Sequence, residues 1–310
     1  MYIIDYNFSA DEIMKPLVSV TVVSYNQKDF IINCLESILS QDYPNFEICI
    51  ADDCSTDGTA DIIESYCNKY PGIIKFIRGK KNLGPTKNCN LALMAMSGKY
   101  CAMTAGDDIM LPGKLTSQVD FMEKDPECRI SYHDTEIVEA SSGKVLNFSK
   151  GISYAGDGTF DMLLSKGSFI GACTAMFRTK YMPSFGLNEC LLVGADWNLH
   201  LDILETGGYV KYIDKVLAKH LRHSKNITSS TDHEIELQRF QDVVTTCGLI
   251  LCKHPDLVNI IKRRLSNVFR EMRGIHGGKN YKKYLWASLC YKFNYKSLIG
   301  LVLCFMGVRK

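Results

Sequence analysis

Two adjacent carboxylates, Asp107 and Asp108, occupy a turn in the stretch TAGDDIMLP at Thr104–Pro112. The preceding KYCAM at Lys99–Met103 has the composition of a buried strand, and Lys114–Lys124 has the spacing of a helix. Ligands of open α/β sheets bind at the carboxyl ends of strands. Neighbouring carboxylates repel each other unless a cation or a donor-rich ligand lies between them. The stretch therefore predicts a divalent metal that holds a diphosphate or, as the simpler interpretation, an ordinary polar turn.

Strand-like and helix-like segments alternate through the first 112 residues. The four predicted strands are Leu17–Val23, Phe46–Ala51, Ile73–Ile77 and the run that ends at Thr104. Each is followed by polar side chains, namely Tyr25-Asn26, Asp52-Asp53, Asn82 and Asp107-Asp108. This alternation is typical of βαβ units, in which parallel strands are joined by right-handed crossovers. We therefore expect the polar groups to meet at one edge of a sheet.

The second half of the sequence has a less regular pattern. Ile170–Arg178 and Tyr209–Ile213 are predicted as strands, and Glu136–Phe148 is predicted as a hairpin. Gly194–Thr206 is predicted as a helix, and Trp197 within it is expected to belong to the core. The domain boundaries that follow are an N-terminal arm at 1–16, the two halves of an α/β domain at 17–112 and 113–230, and a helical C-terminal region at 231–310.

The composition is that of a globular protein, with 46% hydrophobic and 23% charged residues. Thirteen cysteines show neither CxxC pairs nor the spacing of metal ligands, which favours reduced thiols in a cytosol-like compartment. No signal peptide opens the sequence, and no apolar run approaches the roughly 20 residues that cross a bilayer. We therefore expect a cytoplasmic protein.

The net charge of +2 conceals an asymmetry between the C-terminal 50 residues and the rest. Residues 261–310 contain twelve Lys and Arg against the single Glu271, a net +11, which leaves −9 for the preceding residues. Aromatic residues alternate with lysines in Asn280–Lys310, and the apolar Ser297–Met306 is about half a membrane span. This pattern predicts peripheral binding to an anionic membrane surface, at the inner face of the cytoplasmic membrane. The alternative is a pair of helices that packs on the rest of the chain; no motif supports binding to nucleic acid.

The usual phosphate-binding loops are missing from the sequence. The turn after the first strand is SYNQK at Ser24–Lys28, with none of the glycines of a dinucleotide-binding GxGxxG loop. There is also no Walker A lysine loop. A bound diphosphate would therefore have to be held by a metal ion.

The sequence resembles the family 2 glycosyltransferases of the GT-A fold, over roughly Leu17–Ser230. The resemblance rests on six ordered motifs: VSVTVVSYN at Val18–Asn26, DDCSTDGT at Asp52–Thr59, NLGPTKNCN at Asn82–Asn90, AGDDIMLP at Ala105–Pro112, GADWNLHL at Gly194–Leu201 and HLRHSKNIT at His220–Thr228. It implies an α/β fold with a Rossmann-like, mixed but mainly parallel sheet flanked by helices, here with a C-terminal helical extension.

The resemblance also implies a nucleotide-sugar donor, usually a UDP-sugar, bound by the half at 17–112. Carried over by position, Tyr25 would pack on the uracil and Asp53 would accept the hydrogen bond of its ring N–H. Lys87 stands where the family more often has arginine, and it would reach the nucleotide without the bidentate fork. Asp107 would bind the ribose, and Asp108 would bind Mn²⁺ or Mg²⁺.

The half at 113–230 would bind the acceptor and supply the general base. Asp196 matches the family's base, whereas the preceding acid of the usual Glu-Asp pair is Ala195 in this sequence. A further family Asp is replaced by Ala105, so diphosphate oxygens and water would complete the metal shell. His223, together with Arg222, would touch the diphosphate or the metal, or alternatively is an ordinary surface histidine.

These residues imply a metal-dependent inverting glycosyltransferase that acts on a hydroxyl of a glycan or lipid-linked glycan, as in bacterial surface polysaccharide synthesis (O-antigen or capsule). Two alternatives stay open. Ala105 and Ala195 would also suit a catalytically silent nucleotide-sugar-binding protein. A sugar nucleotidyltransferase would need a glycine- and arginine-rich phosphate loop near the N-terminus, which we do not find.

Overall fold

A computed structural model describes residues 15–151, 153–224, 226, 232–272, 281–293 and 295–305. The predicted N-terminal arm lies outside the described residues except for its last two positions. Three positions of the HLRHSKNIT motif, 225, 227 and 228, also lie outside the described residues.

The described residues contain nine strands and ten α-helices. The strands are β1 Val18–Ser24, β2 Phe46–Asp52, β3 Ile74–Arg78, β4 Tyr100–Ala105, β5 Asp108–Met110, β6 Cys128–Glu139, β7 Val145–Phe148, β8 Met176–Arg178 and β9 Tyr209–Arg222. The helices are α1 Ile31–Leu39, α2 Thr59–Lys69, α3 Pro85–Met94, α4 Lys114–Lys124, α5 Phe160–Lys166, α6 Ala195–Leu204, α7 His233–Lys253, α8 Val258–Glu271, α9 Tyr281–Tyr291 and α10 Tyr295–Phe305.

The strands form one mixed sheet in the order β3-β2-β1-β4-β8-β6-β9-β5, and β7 pairs with β6. The first four strands in this order are parallel, β8 runs antiparallel to β4 and β6, and β6 is parallel to β9. β1 lies in the middle of the parallel part and is almost wholly buried, which explains why its sequence is apolar on both faces. The α/β fold with a mixed, mainly parallel sheet is confirmed.

The second half differs from the sequence-based expectation in two places. The predicted strand Ile170–Arg178 was wrong in its first part, because Ala172–Thr174 forms a 3₁₀ turn and only Met176–Arg178 pairs with the sheet. The predicted strand Tyr209–Ile213 is only the first part of a longer strand, β9, which extends to Arg222. The hairpin at Glu136–Phe148 is present as the β6–β7 pair.

Helices of the C-terminal region join the main hydrophobic core. Cys247 and Ile250 of α7 and Ile261 and Leu265 of α8 belong to the same buried cluster as Trp197 of α6. Helix α9 packs on α8, and α10 packs on α9; the Ser288 hydroxyl on α9 is hydrogen-bonded to those of Ser266 on α8 and Ser297 on α10. Within the described ranges, no helix is both long enough and apolar enough to span a bilayer.

Candidate functional site

The register of the parallel strands places the predicted polar groups at one edge of the sheet. Ser24 at the end of β1 is paired with Asp52 of β2, and Val23 is paired with Ala105 of β4. The chain then leaves the sheet at adjacent points, and the N–H groups of Asp53 and Gly106 donate to carbonyl groups at the end of β1, over 2.9 Å each. Asp53 and the Asp107-Asp108 turn therefore follow the two strands, β2 and β4, that flank β1.

Asp53 is buried and fixes the loop that precedes α3. Its two carboxylate oxygens accept hydrogen bonds from the N–H groups of Leu83, at 2.6 Å, and Gly84, at 2.9 Å. Gly84 has a φ of 86°, a conformation that favours glycine, and Pro85 starts the helix. A carboxylate has about four acceptor positions, so Asp53 retains capacity for a further donor.

Tyr25 and Lys87 extend from this edge into solvent. The Tyr25 side chain is 49% exposed although it follows a buried strand. Lys87 is exposed in the first turn of α3, directly after the loop that Asp53 holds. An exposed aromatic ring and an exposed ammonium group at a helix N-terminus could contact a base and a phosphate, respectively.

Asp107 and Asp108 are buried side by side, with 7% and 5% of their surface exposed. β5 pairs with β9 so that Asp108 lies opposite His220, whose Nδ1 is 2.8 Å from Asp108 Oδ1. Asp107 Oδ2 accepts hydrogen bonds from His223 Nε2, at 2.9 Å, and from Asn226 Nδ2, at 3.0 Å. The His223 ring also stacks on Phe30, with the ring centroids 4.5 Å apart.

The charges at this turn are strongly coupled. Burial raises the pKa of Asp107, the Asp108 carboxylate raises it further, and the hydrogen bond from His223 opposes both effects. The pKa of His220 is raised, chiefly by its hydrogen bond to Asp108. The pair of carboxylates thus carries a cost that a cation would relieve.

The two carboxylates of this turn suit Mg²⁺ or Mn²⁺, which prefer oxygen ligands. Over the described part of the chain, no group of three or more His, Cys, Asp or Glu side chains is arranged to hold a metal ion on its own. A cation bound at Asp107 and Asp108 would therefore need oxygen atoms from a ligand or from water to complete its shell.

Asp196 lies in the first turn of α6, and its side chain is partly exposed. Its Oδ1 accepts a hydrogen bond of 2.7 Å from the N–H of Trp197. Burial raises the pKa of Asp196 to about 6, despite this hydrogen bond. A carboxylate with a pKa near neutrality is suited to accept a proton from a reacting hydroxyl group.

Helix α3 connects Asp196 to the edge where Asp53 lies. The N-terminus of α3 follows the loop held by Asp53, and the buried Thr86 hydroxyl donates to the carbonyl of Leu191, at 2.6 Å, just ahead of α6. Burial raises the pKa of Cys89 on α3, and the nearby charge of Asp196 raises it further. The candidate base is therefore adjacent to the helix whose first turn carries Lys87.

Three residues near the site were not anticipated from the sequence. His220 and Asn226 belong to the motif HLRHSKNIT, within which only Arg222 and His223 were given a role from the sequence. Lys114 is completely buried beneath the turn, and its Nζ donates to the carbonyl of Cys173, at 2.9 Å. Burial lowers the pKa of Lys114 to about 8, and Asp108 is among the charges that oppose this effect.

Sequence comparison gives matches over the same region. Residues 19–182 match the family model "Glycosyl transferase family 2". The putative teichuronic acid biosynthesis glycosyltransferase TuaG of Bacillus subtilis is 33% identical over 70% of this chain and 83% of its own length. The uncharacterized protein Rv1520 of Mycobacterium tuberculosis is 31% identical over 69% of this chain, and the match spans 61% of that relative's length.

Structural comparison gives matches to solved structures of low sequence identity. S. aureus TarS 1-349 in complex with UDP-GlcNAc is 18% identical, with a TM-score of 0.59 over 94% of this chain and 92% of that one. Mannosyltransferase PcManGT from Pyrobaculum calidifontis, in complex with GDP-Man and Mn²⁺, is 16% identical, with a TM-score of 0.62 over 98% of this chain and 84% of that one. These matches show a shared fold.

Proposed function

The chain belongs to glycosyl transferase family 2, and we propose that it is a metal-dependent inverting glycosyltransferase. It would move a sugar from a nucleotide-sugar, a UDP-sugar in our proposal, to a hydroxyl of a glycan or lipid-linked glycan. The observation that carries this proposal is the buried pair Asp107 and Asp108 at the edge that also holds Asp53. Asp196, with a pKa of about 6, lies on α6 beside α3.

The half at 17–112 would bind the donor. The exposed ring of Tyr25 is available to stack on uracil, and the free acceptor capacity of Asp53 is available to the uracil N–H. Lys87, at the start of α3, would neutralise part of the diphosphate charge, and Asp107 would bind the ribose. The solved relatives in fold, TarS and PcManGT, contain UDP-GlcNAc and GDP-Man, which supports a nucleotide-sugar donor.

Asp108 would hold Mn²⁺ or Mg²⁺, and His223 would reach the same cation or the diphosphate. In the present arrangement His223 Nε2 contacts Asp107, so it would have to exchange this hydrogen bond for the new partner. The cation supplies Lewis-acid neutralisation of the charge that develops on the leaving diphosphate.

Asp196 would act as the general base in the half at 113–230. The acceptor oxygen forms a bond to the anomeric carbon while the bond from that carbon to the diphosphate oxygen breaks, and Asp196 takes the hydroxyl proton. The nucleoside diphosphate leaves with the bonding electron pair. Because attack and departure occur on opposite faces in one displacement, the anomeric configuration inverts.

The C-terminal region would attach the enzyme to the inner face of the cytoplasmic membrane. Trp286 and Phe293 are 64% and 72% exposed, and Ile299 on α10 is 53% exposed. Such residues beside lysines suit the interface of an anionic bilayer. A membrane-bound enzyme would meet a lipid-linked acceptor, and TuaG is named for teichuronic acid biosynthesis, so we propose a role in bacterial surface polysaccharide synthesis of the O-antigen or capsule kind.

The test is release of UDP from UDP-sugars in the presence of Mn²⁺, with and without a glycan acceptor. Asp196→Asn is expected to lower acceptor-dependent turnover by about a hundredfold or more, to a residual rate, while UDP still raises the melting temperature. Asp202→Asn is the matched control, because Asp202 lies on the same helix and burial also raises its pKa to about 6. Protection by UDP-sugars without turnover in the wild type would instead support the silent nucleotide-sugar-binding protein, which the missing acid at Ala195 suggests.

A further inference from the structure

We propose that Asp242, on helix α7 of the C-terminal region, is a positioning residue that sets the location of Asp196. This inference rests on the proposed role of Asp196 as the general base. Helix α7 lies in the C-terminal region, beyond the six sequence motifs. The inference therefore gives this region a second role, in addition to the proposed attachment to the membrane.

One oxygen of Asp242 holds three consecutive backbone N–H groups. Asp242 Oδ2 accepts hydrogen bonds from the N–H groups of Leu192, Val193 and Gly194, at 3.0, 2.7 and 2.9 Å. The side chain is buried, with 2% of its surface exposed, and its other oxygen accepts a hydrogen bond of 2.8 Å from Gln238 Nε2. Successive N–H groups that converge on one point form an anion-binding concavity, and here the anion is supplied by another helix of the same chain.

The three N–H groups immediately precede the helix that bears the base. Gly194 is the N-cap of α6, has no side chain with which to cap the helix, and leads directly to Ala195 and Asp196. Carboxylates near a helix N-terminus satisfy free N–H groups and interact favourably with the helix dipole. Asp242 therefore satisfies the N–H of the N-cap Gly194 and those of the two residues before it, and this anchors the point where α6 begins.

The contact is also sterically close. A Cβ atom added to Gly194 would lie 3.3 Å from the Asp242 Cβ, so the loop lies directly against α7. Leu191 is buried in the core, but the adjoining Leu192 is 48% exposed, so its side chain adds little packing to the part of the loop that Asp242 holds. We infer that loss of the three hydrogen bonds would let the first turn of α6 shift, and a misplacement of about 1 Å can cost on the order of a hundredfold in rate.

The first measurement is hydrogen exchange of the Leu192–Gly194 amides, which does not depend on activity. Asp242→Ala is expected to increase their exchange rates, whereas the isosteric Asp242→Asn keeps an acceptor oxygen and much of the protection. The matched control is Thr246→Ala, one turn along α7, since the Thr246 hydroxyl is buried without a hydrogen-bond partner in the part of the chain that the structure describes. Unchanged exchange in Asp242→Ala would overturn the proposal.

The second measurement is steady-state kinetics of four variants. Asp242→Ala is expected to lower kcat about tenfold or more with the donor KM unchanged. Asp242→Glu keeps the charge but is one methylene longer, so it should also lose kcat, whereas Asp242→Asn should recover most of it. In the double variant with Asp196→Asn, the Asp242→Ala change should cause no further loss, because it acts through Asp196.

The outcomes separate this inference from the proposed function. Full activity of Asp196→Asn would remove the base and with it the proposed mechanism. An inactive Asp196→Asn together with wild-type kcat in Asp242→Ala would remove only the positioning role. A further loss in the double variant, as large as the loss in Asp242→Ala alone, would show that Asp242 acts independently of Asp196 and would also overturn the inference.

Discussion

The raised pKa of Asp196 predicts how the rate of glycosyl transfer depends on pH. With a pKa of about 6, this carboxylate is about 90% ionised at pH 7 and about 10% ionised at pH 5. A general base works only when ionised, so kcat/KM should fall about tenfold between these two values. With the ordinary pKa of 3.8, the same residue would be more than about 90% ionised at pH 5, and the rate would barely change.

The same shift has a consequence for the stability of the protein. Burial disfavours the charged form of Asp196, so the folded state binds a proton more tightly than the unfolded state does. The carboxylate therefore costs stability as the pH rises from about 4 to about 6, and the full cost applies above that range. The change from 3.8 to about 6 corresponds to about 3 kcal/mol, and partial solvent exposure reduces this to about 1–2 kcal/mol.

Asp196→Asn should consequently lower the rate of the enzyme by about a hundredfold or more and stabilise the protein at the same time. At pH 7 we expect a rise of about 2–4 °C in Tm, and at pH 4 or below we expect the difference to vanish. Asp202→Asn, whose pKa is also raised to about 6 by burial, should stabilise the protein without changing kcat. This comparison separates the catalytic role from the cost of a buried carboxylate.

The assay follows acceptor-dependent UDP release from pH 5 to pH 8 at saturating Mn²⁺. Donor binding is followed at each pH through the Tm increase that UDP causes, because Asp107 also has a raised pKa and its protonation would weaken the donor site. The reasoning is refuted if wild-type kcat/KM stays constant down to pH 5. It is equally refuted if Asp196→Asn turns over at the wild-type rate.

Three further predictions concern the donor site and the membrane. Asp53→Ala removes two hydrogen bonds to the loop before α3, so we expect a loss of about 2–3 kcal/mol in unfolding free energy by denaturant titration, and weaker protection by UDP. Asp108→Asn should raise the Mn²⁺ concentration needed for half-maximal UDP release by about tenfold or more, and an unchanged requirement would remove Asp108 as a ligand. The double variant Trp286→Ala with Phe293→Ala should sediment less with anionic vesicles. Phe185→Ala should not, because Phe185 is 55% exposed but lies outside the C-terminal region.

The donor edge could be predicted from the sequence because it depends on local patterns. Apolar, β-branched strands alternate with amphipathic helices, so the carboxyl ends of the strands must meet, and Asp53 and the Asp107-Asp108 turn follow those ends. The fold class follows from the same alternation. The pattern failed at Ala172–Thr174, where small apolar residues suit a strand but the backbone turns to deliver the Cys173 carbonyl to the buried Lys114.

The contacts that adjust the site could not be predicted, because they join residues far apart in the sequence. The pairing of β5 with β9 places His220 on Asp108, and this requires a chain return of more than 100 residues. The same is true of Asn226 on Asp107 and of Asp242 on the loop before α6. The sequence shows each side chain, but no periodicity relates its position to that of its partner.

The hydrogen bonds at Asp107 and Asp108 explain why metal and donor should bind together. Each carboxylate has a histidine hydrogen-bond partner. Burial raises the pKa of Asp107 most, and repulsion from Asp108 raises it further, so the repulsion persists despite these partners. A divalent cation would relieve it, yet the described residues do not provide three ligands of the usual kinds for a metal. The missing ligands must then come from diphosphate and water. We therefore expect Mn²⁺ and UDP together to raise Tm by more than the sum of the increases that each causes alone. Strictly additive increases, measured by thermal unfolding over a matrix of both concentrations, would contradict a metal site completed by the donor.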